Sequence, residues 1–427
     1  MLSHVLLEVE KIKPDQTIVV HSPSYTDLIK NTATNFSKTK FVAQEQPLGT
    51  GDALKAATPS LDKGNNVLVL LGDVPLVKAK TLKALKEGIE NADILVLTTK
   101  LEKPTNYGRI KRDEQNKVMA IVEETECNNE EKKINEINSG IITFSREHLE
   151  ELLSGLDASN KKGEYYLTDT IEMAHNKGLK VDTIITSSSE VFGVNDKKDL
   201  AEAERLKRAE LTNALMEQGV TICDPTRIDI RGTLKCGDDV YIDVNTVFEG
   251  DVELSNGVTV RPFTSISNSY IGENTEIKAY STIDNSKIGN DCIIGPYARL
   301  RPGSDLKNES RVGNFVEIKK STIGERSKVP HLTYVGDTTV GTDSNIGAGT
   351  ITCNYDGANK HNTQIGDNVF IGSGVELVAP VLIEDGATIG AGSTISKSAP
   401  KGKLTIERAK QKTVDGWQRP TKSKDKK

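Results

Sequence analysis

Two residues stand where chemistry could use them. Asp73 follows the apolar run Val67-Leu68-Val69-Leu70-Leu71-Gly72 and precedes Val74-Pro75, so its carboxylate falls at the end of a buried strand, where open α/β sheets bind ligands. A turn aspartate before a proline is the plainer reading of the same residue. His331, in the run His331-Leu332-Thr333-Tyr334, interrupts an aliphatic repeat that has no use for an imidazole. A histidine side chain ionises near neutral pH, so it can take up a proton and return it. Gly49-Thr50-Gly51 holds the first glycine of the chain and is the only early candidate for gripping a phosphate on bare backbone N–H groups. Three residues alone are a weak signal. Residues 353–364, CNYDGANKHNTQ, are polar and break the surrounding period, as a loop extruded from a repeat array would.

The element that must position His331 is the repeat itself. Aliphatic residues recur at every sixth position: Ile242, Phe248, Leu254, Val260 and Ile266; then Ile271, Ile277 and Ile283; then Ile288 to Ile318; and later Ile365 to Ile395. Neither helix nor ordinary strand has that period, which marks a parallel β-helix with one buried side chain per hexad. Backbone hydrogen bonds then join successive coils about 4.8 Å apart. Glycine follows the buried residue at Gly272, Gly289, Gly313, Gly324, Gly336, Gly366, Gly372 and Gly390, which is expected to let the chain bend at each corner.

Before the repeat, helical and strand patterns alternate. Thr17 to Val20, Val67 to Leu71 and Ile94 to Thr98 are expected strands; Lys80 to Ile89, Thr168 to Asn176 and a long Asp199 to Gln218 are expected helices. That is an α/β domain with a mainly parallel sheet. The chain of 427 residues is too long for one core, and we expect a first domain over 1–198, a linker helix over 199–219 and a repeat domain over 220–427. A net charge of −6 and a pI of about 5.7 argue against a general nucleic-acid or membrane-surface binder, so anionic substrates need local cations. Five widely spaced cysteines with no CxxC pair indicate neither a disulfide framework nor a zinc site and suit a reducing cytosol. No apolar run approaches a membrane span and the start has no cleavage site, so a cytoplasmic protein is expected. The closing TKSKDKK is expected to be a solvated tail.

Ten segments in order carry a resemblance: QPLGTGDA (46–53), LGDVPL (71–76), NYGRI (106–110), EINSG (136–140), GEYYLTD (163–169), GVN (193–195), IGPYARLRPG (294–303), VGNFVEIKK (312–320), HLTYVGD (331–337) and NIGAGTITCNYDG (345–357). With them the chain closely resembles the bacterial bifunctional N-acetylglucosamine-1-phosphate uridyltransferases/glucosamine-1-phosphate acetyltransferases over essentially its whole length. The resemblance implies an α/β nucleotidyltransferase-like (Rossmann-like) domain followed by a left-handed parallel β-helix of hexapeptide repeats. It also implies a homotrimer, because in the family a neighbouring subunit supplies part of the acetyl-CoA site. One departure stands out: the family's N-terminal strand and LAAGxGxRM-type loop have no counterpart in the residues given, and MLSHVL matches the helix after them. A start placed at an internal methionine is the favoured explanation. Without that loop's cations the first activity is expected to be very weak, and the sheet to carry an unpaired edge.

For nucleotidyl transfer the resemblance puts Mg²⁺ on Asp73 and Asn195, uracil and ribose on Gln44, Gly49 and Thr50, and the N-acetylglucosamine part on Gly108, Glu123, Asn138 and Thr168. A strand-end carboxylate plus an amide oxygen suits a hard cation that keeps its waters. For acetyl transfer it makes His331 the general base, with Arg301, Lys319 and Lys360 on the phosphate of glucosamine-1-phosphate and Tyr334, Asn345 and Tyr355 on the sugar. Acetyl-CoA would meet Ala348, Asn354, Ser373, Ala391 and Arg408. A solvated coil face is the competing account of Lys319 and its neighbour Lys320, a sheet-edge polar residue that of Glu123 and Asn138, and a tail cation that of Arg408. The implied function is UDP-N-acetylglucosamine synthesis for cell-wall and lipopolysaccharide precursors. The alternatives are an acetyltransferase only, or a non-catalytic nucleotidyltransferase-like scaffold subunit, for which the constellation around His331 would have no use. A purely structural β-helix would want flat Thr rows, where these coils carry mixed charges.

Overall fold

The computed structural model describes residues 1–33, 36, 38–62 and 64–421; most of the closing TKSKDKK lies outside the described residues. Contacts divide the chain into two compact units, Met1–Lys207 and Arg208–Lys427.

The first unit holds strands β1 (Thr17–His21), β2 (Thr39–Ala43), β3 (Val67–Val69), β4 (Ile94–Lys100), β5 (Arg109–Arg112), β6 (Val118–Val122), β7 (Glu136–Phe144) and β8 (Val181–Ile185). Its helices are α1 (Leu2–Lys11), α2 (Thr26–Ala33), α3 (Thr50–Ala57), α4 (Ala79–Gly88), α5 (Arg146–Ser154) and α6 (Asp169–Asn176), and the long α7 (Lys197–Glu217) leads out of it. The main sheet runs β6-β5-β7-β4-β8, with β3 also on β7. It is not mainly parallel: β7 is antiparallel to β3, β4 and β5, β5 is antiparallel to β6, and only β4 and β8 run together. The cause is local, since no α-helix separates β5, β6 and β7, and a chain that returns without a crossover helix pairs antiparallel. β7 is buried along nearly its whole length, including Ile137, Ile141, Ile142 and Phe144, which makes it the spine of this core.

β1 and β2 form a separate parallel pair. A cavity of about 480 Å³ lies between β1 and β3, roofed by Val5 and Leu6 of α1 and by Leu54 of α3. It touches consecutive residues of both strands, 17–20 of β1 and 67–69 of β3, and Leu70 and Leu71 just beyond. Successive strand residues point to opposite faces, so contact with every one of them means that the cavity meets strand edges. The expected open edge is therefore present on two strands.

The second unit is a prism of short parallel strands. One face stacks Ile266, Ile283, Leu300 and Ile318; the next stacks Ile271, Ile288, Leu306, Ile323, Val340, Ile365 and Ile383; the third stacks Val260, Ile277, Ile294, Val312 and Val329. All are at most 4% exposed. Each buried aliphatic is worth about 1.5–3 kcal/mol relative to an exposed one, and each coil gains that only by stacking on its neighbours. The glycines after these residues do something other than bend the chain. Gly313 and Gly324 have ordinary φ, but a Cβ there would lie 1.8 Å from the Pro330 carbonyl oxygen and 2.2 Å from that of Gly341, so they are needed for the approach of one coil to the next. Left-handed positions are held by other glycines, such as Gly257 (φ +70°) and Gly392 (+70°), and by Asn and Asp, such as Asn274 (+56°), Asp291 (+56°) and Asp343 (+55°), which tolerate that region better than most side chains. On one edge the corner is instead aromatic. Phe263, Tyr280, Tyr297 and Phe315 stack at centroid spacings of 4.9, 4.8 and 5.2 Å, half-exposed, with exposed Leu332 on the following coil. Among the described residues no helix is long and apolar enough to cross a membrane.

Candidate active sites

In the first unit Gln44, Gly49 and Thr50 are knitted to one strip of backbone. Gly49 stands before α3 with φ +110°, and a Cβ on it would lie 2.6 Å from the Tyr165 carbonyl oxygen. Gly51 N–H donates to that oxygen at 2.8 Å, Tyr165 N–H to Leu48 O at 2.7 Å, and Leu167 N–H to Thr50 Oγ1 at 3.2 Å. Gln44 Nε2 donates to Gly49 O at 3.2 Å and to Asp52 Oδ2 at 2.8 Å. The strip continues into Thr168, whose hydroxyl donates to Glu123 Oε1 at 3.0 Å. The Asn138 N–H donates to Gly108 O at 2.9 Å, and a Cβ on Gly108 would lie 3.6 Å from the Glu123 carboxylate. Gly108, Glu123, Asn138 and Thr168 are thus brought together at the ends of β5, β6 and β7 and the start of α6.

The turn after β3 joins this group. Leu71 packs on Gly140, where any Cβ would sit 2.4 Å from Leu71 Cδ1, and Gly140 N–H donates to Asn138 Oδ1 at 3.0 Å. Val194 N–H donates to Asp73 O at 2.9 Å, which sets Asn195 beside exposed Asp73. Asn195 N–H and Nδ2 face Asp199 Oδ2 at 3.0 and 3.4 Å, so the amide oxygen points elsewhere. A neutral amide oxygen and a carboxylate on two segments joined by this backbone bond are the donor types that fit a cation taking its remaining ligands from water and phosphates. Asp169, the last residue of GEYYLTD, has a shift that the motif does not show: burial first, then Asp157, Glu123 and Glu172, push its carboxyl up to about 6.

In the second unit His331 and the lysines Lys319 and Lys360 lie at two corners of one prism face. His331 is exposed at one corner, and its Nδ1 lies 2.5 Å from Oδ1 of Asn314, directly below it in register. From His331 a column climbs the same edge: Gly349 N–H donates to His331 O at 3.3 Å, Gly374 N–H to Ala348 O at 2.8 Å, and Gly392 N–H to Ser373 O at 2.9 Å. Arg408 closes the column by donating to Ala391 O at 2.8 Å. His331, Ala348, Ser373, Ala391 and Arg408 therefore form one continuous edge.

At the other corner Lys319 Nζ lies 3.4 Å from Asp337 Oδ2, and Asn354 Nδ2 donates to that oxygen at 2.5 Å and to Tyr334 Oη at 3.5 Å. Lys360 reaches the same corner from the extruded loop, through a bridge with Tyr355, whose hydroxyl donates to Gly357 O. The contact with Lys360 raises the Lys319 ammonium above the usual lysine range, with Asp337 adding to it, and the same contact lowers Lys360. Arg301 donates to Glu317 Oε1 at 2.8 Å, and Glu317 is the register partner of Tyr334. Two placements differ from the simple picture. Asn345 pairs with Lys328 and Phe370 on the face before the His331 corner, so one chain does not unite it with Tyr334 and Lys319. Asn354 is buried on Asp337 and stands apart from the Ala348-to-Ala391 column. Motif reading missed Asn314, Glu317 and Asp337. The signal was available, because Asn314 to His331 and Asp337 to Asn354 are each 17 residues, one coil, apart.

Residues 1–190 match the nucleotidyl transferase family, and residues 268–302 and 362–397 match the bacterial transferase hexapeptide (six repeats) family. The chain is 48% identical over 423 residues to the bifunctional protein GlmU of Cupriavidus pinatubonensis, covering 99% of this chain and 93% of that relative. It is 47% identical over 428 residues to the bifunctional protein GlmU of a Janthinobacterium species, covering 99% of this chain and 93% of the relative. Against that of Nitrosomonas europaea it is 47% identical over 427 residues, covering 100% of this chain and 93% of the relative.

Proposed function

The chain belongs to the GlmU family of bifunctional transferases, and from that premise we propose how its parts divide the work: residues 220–427 acetylate glucosamine-1-phosphate from acetyl-CoA, and residues 1–198 uridylylate the product. The observation that carries the first half is the single prism face that places His331 at one corner and Lys319, Lys360 and Asp337 at the next, with Tyr334 between.

Arg301, Lys319 and Lys360 hold the phosphate, with Tyr334, Tyr355 and Asn345 on the sugar ring. Asn314 Oδ1 accepts a hydrogen bond from the Nδ1–H of His331, which leaves the Nε2 lone pair for the substrate. Nε2 accepts a proton as the amine nitrogen attacks the thioester carbonyl, and returns it to the sulfur when the C–S bond breaks. Acetyl-CoA lies along Ala348, Ser373, Ala391 and Arg408, with Asn354 at the sugar end. At the other site a phosphate oxygen of N-acetylglucosamine-1-phosphate displaces pyrophosphate from the α-phosphorus of UTP. Gln44, Gly49 and Thr50 hold the base and ribose, and Gly108, Glu123, Asn138 and Thr168 the acetylated sugar. Asp73 and Asn195 would hold Mg²⁺, which supplies charge neutralisation at the phosphates.

A homotrimer completes the acetyl site, since Asn345 and the sugar corner lie on different faces of one prism, and the half-exposed aromatic stack beside His331 offers the apolar edge where prisms meet. The proposed setting is the cytoplasm. The test is paired: CoA release from acetyl-CoA and glucosamine-1-phosphate, and pyrophosphate release from UTP, N-acetylglucosamine-1-phosphate and Mg²⁺. CoA release is expected to be strong. Pyrophosphate release is expected to be the weaker activity, because β1 and β3, which lead to its site, are not joined in one sheet. Absence of CoA release would overturn the assignment of the second unit.

A further inference from the structure

Asp337 has no part in the assignments above, yet the sugar corner is built around it. It sits in the left-handed region (φ +49°) between the strands Tyr334–Gly336 and Thr338–Val340, with its side chain 5% exposed. Its carboxylate meets Lys319 Nζ at 3.4 Å, Lys320 Nζ at 4.0 Å and Asn354 Nδ2 at 2.5 Å. Its backbone N–H donates to Lys319 O at 3.0 Å, and its backbone oxygen accepts from Thr363 N–H at 3.2 Å.

These contacts have a topological meaning. Asn354 and Thr363 are the residues where the loop after Cys353 leaves the prism and where the next strand begins, so Asp337 fastens both ends of the loop that carries Lys360. They also have an electrostatic meaning. Two ammonium groups in contact repel, and one tends to shed its proton; a carboxylate behind them offsets that repulsion while leaving net positive charge to face outward. A buried carboxylate is itself tolerated only where such partners satisfy it.

We propose that Asp337 is a positioning residue for acetyl transfer: it clamps the neck of the loop and holds Lys319 and Lys360 as a charged pair aimed at the phosphate of the amino-sugar substrate. The proposal rests on the assignment of that phosphate to Lys319 and Lys360. Asp337→Asn keeps the shape and removes the charge. Steady-state CoA release should then show the KM for glucosamine-1-phosphate up about tenfold or more, the loss expected for a charge-assisted contact. The basic limb of kcat/KM should move to lower pH as one lysine loses its proton earlier, while kcat and the KM for acetyl-CoA change less than about threefold. If that variant does not fold, Asn354→Ser keeps the carboxylate and loosens the clamp, and should raise the same KM with the basic limb in place, any rise in the KM for acetyl-CoA being the separate mark of Asn354's own place beside that cofactor. An unchanged KM in the folded variants, or a fall in kcat with KM and pH profile unmoved, overturns the role of Asp337. Lys319→Met separates the two layers: if it leaves KM unchanged, the phosphate assignment itself fails, whereas a raised KM there beside a silent Asp337→Asn defeats only the proposal for Asp337.

Discussion

His331 faces the solvent with one ring nitrogen already engaged. Because Asn314 is an amide, it orients the ring without adding a charge that would favour the imidazolium. Asn314→Asp would add that charge, so the acid limb of kcat/KM for acetyl transfer should move up by about one pH unit, with the rate at high pH nearly kept; a profile that does not move means that Asn314 does not set the base. Asp169 makes the opposite case, a carboxyl that the fold does not welcome in its charged form. Its folded pKa of about 6 lies above the unfolded value, so its contribution to stability is fully present below about pH 4 and is lost as pH rises through about 6. Asp169→Asn should therefore stabilise the first unit near pH 7.5, by about 1 kcal/mol once solvent screening is allowed for, and not at pH 4. Melting temperatures at the two pH values check this; equal effects at both would point to a contact other than the charge.

The coils of the prism were legible residue by residue. Every aliphatic of the hexad series is buried, because stacking is one-dimensional and its period survives in the sequence. What the hexads do not show at sight is which residues meet across coils. Asn314 below His331, and Asp337 among Lys319, Lys320 and Asn354, follow from a spacing of 17 or 18 residues, and only the register between neighbouring coils fixes which of the two applies. In the first unit β1, β3, β4, α4, α6 and α7 were legible, but neither β7 nor its direction was, since local pattern carries no information on pairing partners. The glycines were legible in position and not in purpose. Gly324→Ala should cost about 2 kcal/mol or more, because the atom in the way is a backbone oxygen of the next coil. Asn274→Gly, at a left-handed corner, should be nearly neutral. Denaturant unfolding of both variants decides it, and a neutral Gly324→Ala would mean that the coils are not held at this spacing.

The two units differ in how completely their backbones are paired. In the second, nearly every coil is stacked between two others, whereas in the first two strand edges face an apolar cavity. Voids and unpaired edges both lower stability, so calorimetry should resolve two transitions, the lower one accompanied by loss of helical circular dichroism, since the helices lie mainly in the first unit. A single transition, or a lower one without helix loss, would show that the open edges carry no such penalty. The proposed acetyl site lies in the more completely paired unit, and the proposed base can be tested in one assay. His331→Ala is predicted to lower CoA release from acetyl-CoA and glucosamine-1-phosphate by about 10²–10⁴-fold, the contribution of a positioned general base, with oligomer mass and circular dichroism unchanged. Activity within a few-fold of the parent would contradict it and remove His331 from the chemistry.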